Sequence, residues 1–266
     1  MQTDSSTTSI APAAPAPFAL IVGTLPGGNP EASFRRMGLR PEPAGNGVAG
    51  VSAPAYRLRV GSMSLIVGST SAPALADADP QHPATSMLAA RLPPGWRGEG
   101  QIWTLVPEVV DGVEIEPTRL REFFKMTVLL IDLFDASHIF WSPARLWSDA
   151  PQFRGAMAEM LVSGMPPVLH LVAFRRSDRP DGATVRTRGL ALFGGQEIEG
   201  GIPPGWTVAE MVKRLARLAL DIMLHGPVTE ERGLRGLNPG EWVVLRPVGG
   251  SAERDAVIRA EFGSDF

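Results

Sequence analysis

The sequence predicts an α+β fold, a largely antiparallel sheet with helices packed on it. Three observations lead there. Arg179-Pro180-Asp181-Gly182 is a strong turn signal joining two strand-like segments, 168–176 and 185–193, into a hairpin. Two segments, 118–135 and 208–225, carry apolar residues at helical spacing and have clear start or stop signals. The run 18–109 reads strand, helix, strand, strand, helix, strand, and 138–248 repeats that order. This order suggests two ferredoxin-like βαββαβ halves, 18–110 and 137–250, joined by the helix at 118–135 within one globular unit, 18–266.

Phe18 to Leu25 is a continuous apolar run and reads as a buried strand. Glu31 to Met37 reads as a short helix, and Pro41 to Ala55 as a Pro/Gly-rich loop. Tyr56–Val60 and Met63–Gly68 form a hairpin turning at Gly61-Ser62. Ser69 to Pro83 reads as irregular. Ala84 to Leu92 reads as a short helix stopped by Pro93-Pro94. Gln101 to Val109 is a strand, and Pro107 places an edge or an end there.

Pro117 suits the first turn of the helix that follows, whose stripe holds Leu120, Phe123, Phe124, Leu130, Ile131 and Phe134. His138 to Trp141 is a short strand. Asp149 reads as an N-cap with Pro151 just inside, opening a helix that ends at Gly164. Thr207 and Glu210 form a capping box at the head of 208–225, and Arg217 with Asp221 is an i,i+4 pair on its outer face. Glu241 to Val248 and about 256–262 are the last strands.

Composition bounds the function. The chain has 266 residues, 44% hydrophobic, with a formal net charge of -3. That is enough for a sizeable core, and it offers no basic field for a nucleic-acid backbone. Only Lys125 and Lys213 among the 25 basic side chains are lysine. The absence of cysteine excludes disulfides, thiolate metal sites and a cysteine nucleophile, and suits a reducing cytoplasm. Residues 1–17 read as a disordered Pro/Ala/Ser tail rather than a secretory signal, and no apolar stretch is long enough for a membrane span. Gly23-Thr24-Leu25-Pro26-Gly27-Gly28 follows a strand but lacks the Lys-Ser/Thr ending of a phosphate loop. No cofactor is expected, and the partner is an unspecified protein or small molecule.

The most informative stretch is Thr187 to Gly201, TRGLALFGGQEIEGG. As a continuing strand it would place Leu190 and Leu192 on one face and Ala191 and Phe193 on the other. Glu197 and Glu199 would then join the Ala191/Phe193 face, unless a bulge at Gly194-Gly195 exchanged the two faces. Carboxylates two residues apart on a strand lie roughly 7 Å apart and point the same way. Such a pair can bind a divalent cation or serve as acid and base; it can equally face water at a strand end. His138 and His170 lie on separate expected strands and are candidate imidazole partners, though no H-x-x-x-H or H-E-x-x-H spacing supports them. A lone histidine in an apolar run such as VLHLVAF more commonly stays in the core. Trp141, with Trp103, Trp147, Trp206 and Trp242, falls at element ends, where exposed rings would form a partner surface and buried ones a core margin.

The segment Thr187 to Glu199, with His138 to Ser142 and the paired strands YRLRVGSMSLIVGSTSAPA, resembles a bacterial family catalogued as domain of unknown function 4261. The resemblance covers about 101–226 best. It implies a small cytoplasmic bacterial α+β domain and carries no catalytic residues over. The resulting expectation is a binding or protein-interaction module, with Glu197, Glu199, His138 and Trp141 as candidate binding residues. The alternative is a hydrolase using Glu197 and Glu199, with or without a metal.

Overall fold

In the computed structural model, residues 18–25, 27–45, 48–61, 63–89, 91–98, 100–108, 117–180, 182–249 and 256–264 are described. The tail reading of residues 1–17 lies outside them, as do Pro26, Ser62 and Asp181 of the expected turns. The fold is α+β, with two mostly antiparallel sheets among the described residues.

The first sheet gathers β1 (Ala19–Val22), β2 (Glu42–Pro43), β3 (Val51–Val60), β4 (Met63–Thr70), β5 (Ser86–Met87), β6 (Ile102–Pro107), β7 (His138–Trp141) and β8 (Leu146–Asp149) in the order β2-β3-β4-β6-β1-β7-β8-β5. Pro107 ends β6 rather than marking an edge, because β6 lies between β4 and β1. The expected order along the chain puts His138–Trp141 at the start of a second half. Its pairing instead joins β7 to β1 and, through a tight turn, to β8, so both complete the first sheet.

Helices cover this sheet on both faces. α1 (Pro30–Arg36) begins at Asn29, whose side chain accepts from the Ala32 N–H. α3 (Pro117–Leu133) and α4 (Ala150–Ser163) bury Phe123, Phe124, Leu130, Phe153 and Met157 in a core shared with Ile21, Leu65 and Trp141. On the opposite face, α2 (Ala72–Asp77) and Trp96 cover Leu20, Phe140 and Trp147. Three local expectations give way to the structure. The 69–83 stretch contains α2, its proline sitting at the tolerated first turn. The helix expected at 84–92 is replaced by β5, because Ser86 and Leu88 donate to carbonyls of Arg145 and Trp147 along β8. The 41–55 loop likewise gives way to β2 and the start of β3.

The second sheet holds β9 (Ala173–Arg179), β10 (Gly182–Arg188), β11 (Gln196–Gly201), β12 (Arg232–Arg235), β13 (Glu241–Val248) and β14 (Ala256–Ser264), ordered β12-β13-β14-β11-β10-β9. Only β11 and β14 pair in parallel within it. α7 (Val208–His225) lies on one face. Its capping box forms as the sequence predicts, and Met211, Leu215, Leu218 and Ile222 pack with Val185, Ile198, Val243, Leu245 and Ile258. The same apolar cluster runs through to α3 and β7, so the two sheets share one core. The expected Arg217–Asp221 pair does not form: Asp221 binds Arg232 and His225, and Arg217 donates to the Gly236 carbonyl.

Two short helices replace expected strand residues. α5 (Val168–Leu171) occupies the first half of 168–176, following Pro166-Pro167. α6 (Ala191–Gly194) takes up the end of 185–193. Gly189 ends β10 in a left-handed conformation, φ 94°, and the chain turns into α6 before resuming as β11. Leu190 and Phe193 therefore do not alternate across a strand, and the face argument built on them does not apply.

Candidate functional site

Strand parity creates the site. On β9, Phe174 faces the core, so Arg175, Ser177 and Arg179 face away from α7. On β10, Val185 and Thr187 are buried, which turns Thr184, Arg186 and Arg188 to the same outer face. On β11, Ile198 is buried, and Glu197 and Glu199 lie on that outer face. The register lines up Arg175 with Arg186, Arg186 with Glu199, Glu199 with Arg259, and Arg259 with Arg246. One row across five strands thus holds four arginines and one glutamate. Like charges directly opposite one another, as at Arg175–Arg186 and Arg246–Arg259, do not favour a sheet, and Glu231 and Glu261 offset Arg246.

A groove of about 480 Å³ lies over β9, β10 and β11, lined by Arg175, Arg179, Arg186, Arg188, Glu197 and Glu199, with the Ser177 and Thr184 hydroxyl-bearing residues beside them. The two carboxylates that the sequence singles out do line it together, but each is already engaged. Glu197 is 4% exposed. Its Oε1 accepts the Gly189 N–H at 2.7 Å and the Ala191 N–H at 3.2 Å, and its Oε2 accepts the Thr187 hydroxyl at 2.6 Å. Thr187 Oγ1 in turn accepts the Ile198 N–H at 2.7 Å. The ladder between β10 and β11 stops at Arg186–Glu199, and Glu197 with Thr187 satisfies the backbone donors left beyond it. Glu199 forms a two-point pair with Arg179, Nη1 to Oε1 at 2.9 Å and Nη2 to Oε2 at 3.1 Å. A carboxylate held this way organises a turn or neutralises a guanidinium, and neither glutamate is left open toward a proton or cation.

The arginines are less fully committed. Among the described residues, Arg186 and Arg188 have no ion pair or side-chain hydrogen bond. Burial lowers the Arg188 pKa from the ordinary arginine value, Arg145 and Arg175 lower it further, and Glu197 and Asp77 oppose them. Arg175 donates through Nη2 to the Pro83 carbonyl, bridging the groove to the first sheet's side of the molecule.

The histidines and Trp141 lie elsewhere. His138 is buried in β7, its Nδ1 3.0 Å from Ser137 Oγ, and it pairs in register with Val22 and Asp149. His170 sits on α5, edge-on to Phe153 at 6.0 Å, with its pKa lowered by burial. Neither joins the glutamates, and no cluster of three or more histidines or acids among the described residues could hold a metal. Trp141 is 1% exposed, donates to the Leu171 carbonyl at 3.2 Å and packs on Phe123 and Phe124, so it belongs to the core. Of the six tryptophans, Trp242 alone is exposed, lying over Gly263.

The chain's net charge averages the groove arginines away. Their signal is spacing: Arg175-x-Ser177-x-Arg179 and Thr184-x-Arg186-x-Arg188 repeat with the period of a strand. No helix of the described residues is long and apolar enough to cross a membrane. No family model, curated protein or solved structure matches the chain.

Proposed function

We propose that this chain is a binding module without a catalytic role, and that it receives an anionic ligand in the groove over β9, β10 and β11. The observation that carries the reading is the imbalance inside the groove. Glu197 and Glu199 are hydrogen-bonded by Thr187, Gly189, Ala191 and Arg179, while Arg186 and Arg188 form no salt bridge among the described residues, although the charge of Glu197 acts on Arg188. Planar guanidiniums with unused N–H groups suit carboxylate or phosphate oxygens. The volume falls in the range of small-ligand pockets. The resemblance to family 4261 adds the expectation of a bacterial cytoplasmic setting.

The test is calorimetric titration of the full chain at low salt with citrate, glucose 6-phosphate, inorganic phosphate and hexaglutamate. The expected result is saturable binding of at least one of these, weakening as salt rises and lost when Arg186 and Arg188 are both changed to Gln. Binding by none of the four, or binding unchanged in that double variant, overturns the reading.

A further inference from the structure

Two guanidinium nitrogens, Arg145 Nε and Arg175 Nη1, are buried without a hydrogen-bond partner among the described residues. A buried N–H left unpaired is costly and calls for a physical reason. Both belong to residues whose charges act on Arg188 in the groove: Arg175 lines the groove too, and Arg145 sits in the β7–β8 turn, beside the end of β10. Thr85 buries an unpartnered hydroxyl close by, one residue before Ser86, whose N–H donates to the Arg145 carbonyl.

The backbone brings these groups together at some strain. Arg145 adopts a left-handed conformation, φ 46°, in the turn that its N–H closes onto the Ser142 carbonyl. A non-glycine residue is uncommon in that conformation, which here closes the β7–β8 hairpin; such residues also gather at binding sites. On the facing side, a Cβ at Gly189 would lie 3.0 Å from the backbone of Ala144. Only glycine lets the end of β10, with Arg188, press against the turn that carries Arg145.

Charge gives the ligand class. Asp77 takes one nitrogen of Arg145, Nη1 at 3.1 Å, and is itself largely in solvent. Arg145, Arg175, Arg176, Arg179, Arg186 and Arg188 stand against Asp77, Asp178, Glu197 and Glu199, a surplus of two positive charges in the groove and around Arg188. A phosphate monoester carries about -1.5 to -2 at neutral pH and presents three acceptor oxygens. A carboxylate offers half that charge.

We propose that Arg145, Arg175 and Arg188 seat the phosphoryl group of a small phosphate monoester, whose body lies along the groove beside Thr184 and Ser177. This rests on the anion-binding reading above and names the ligand class of that site. The three guanidiniums repel one another when the seat is empty, and a dianion relieves the repulsion; Arg145 Nε and Arg175 Nη1 are buried and reach it by their side chains turning toward the groove. The hydroxyl-bearing residues of the groove then contact the remainder of the ligand.

The experiment titrates the full chain with glucose 6-phosphate, inorganic phosphate and hexaglutamate, using wild type, Arg145→Asn, Arg188→Gln and Arg186→Gln. Asparagine tolerates the left-handed backbone at 145. The expected result is that Arg145→Asn and Arg188→Gln each weaken glucose 6-phosphate binding by roughly tenfold to a hundredfold, that Arg186→Gln weakens it less, and that the unliganded Arg188→Gln protein melts no lower than wild type. If Arg145→Asn fails to fold by circular dichroism, Arg188→Gln decides, since it breaks no side-chain hydrogen bond. Inorganic phosphate binding as tightly as glucose 6-phosphate would overturn the monoester assignment in favour of the free ion. Loss of binding in Arg186→Gln with Arg145→Asn and Arg188→Gln unaffected, or binding of hexaglutamate alone, would overturn the seat and leave the groove reading standing. Binding of no anion would remove both, and a lowered melting temperature in Arg188→Gln without loss of binding would make the cluster structural.

Discussion

Arg214 and Glu241 meet in a buried two-point pair between α7 and β13, with Nε to Oε1 and Nη2 to Oε2 both at 2.7 Å. Their side chains are 7% and 4% exposed, and the Trp206 ring lies 3.8 Å from the guanidinium carbon. Removing one partner of such a pair leaves an uncompensated charge. Arg214→Met should therefore cost about 3–5 kcal/mol of unfolding free energy in urea melts, and Arg214→Met with Glu241→Leu should recover much of it. The hydrogen bonds from Arg214 hold the Glu241 carboxyl below the usual carboxylate range, overcoming its burial. The contribution is therefore complete above the unfolded value of about 4.3 and is lost as pH falls through the lowered folded value. An acid-side stability slope unchanged in Glu241→Gln would refute this.

Glu197→Gln tests whether that carboxylate is architectural. The change keeps the size but presents an amide where Thr187, Gly189 or Ala191 now donates. At least one donor is left without an acceptor, so the expected loss is about 1–3 kcal/mol. Divalent cations should shift the melt of neither protein. A cation-dependent shift present in wild type and absent in the variant would revive a metal role.

Gly189→Ala should destabilise the fold by about 1–3 kcal/mol, from the positive φ and the close approach to Ala144 together. Anion affinity should fall in the same variant, because the contact also sets the distance between Arg188 and Arg145. A stable Gly189→Ala protein with unchanged affinity would show that the approach is not needed.

His170 should contribute a stability slope at mildly acidic pH. Burial lowers its pKa, so the unfolded chain binds the proton first. The neutral form's stability is complete above the unfolded value of about 6.5 and declines as pH falls below it toward the folded value. Unfolding free energies between pH 7.5 and 5 should flatten in His170→Phe, and an identical slope in the variant would remove the effect.

What was legible in the sequence was local. The box of Thr207 and Glu210, the Asp149 cap and the pairing of Arg179 with Gly182 each depend on a few adjacent residues, and each forms where its chemistry says. Residues 190–193 read as a strand because their apolar run is equally compatible with a short helix, and the deciding event is the left-handed turn at Gly189 fixed by Glu197. Val168–Leu171 was ambiguous in the same way. For the site, the sequence pointed to the right strand and the less available residues. Glu197 and Glu199 do line the groove, but their hydrogen bonds come from residues far enough along the chain that only the fold reveals them. The arginines were visible as a two-residue repeat and became meaningful once Val185 and Ile198 showed which face was core.

That repeat sets how the site tolerates genetic change. Its arginines occupy no fixed motif; they need only alternate with Val185 and Thr187 along β10. Point substitutions there alter one contact and leave the rest in place. Loss of a single codon between Gly182 and Val185 has a different effect. It would shift the register by one residue, carry Arg186 and Arg188 toward α7 and turn Val185 and Thr187 to water. Descendants of this sequence should therefore vary by exchange of individual residues in β10, and gain or lose length only at the turns on either side of it.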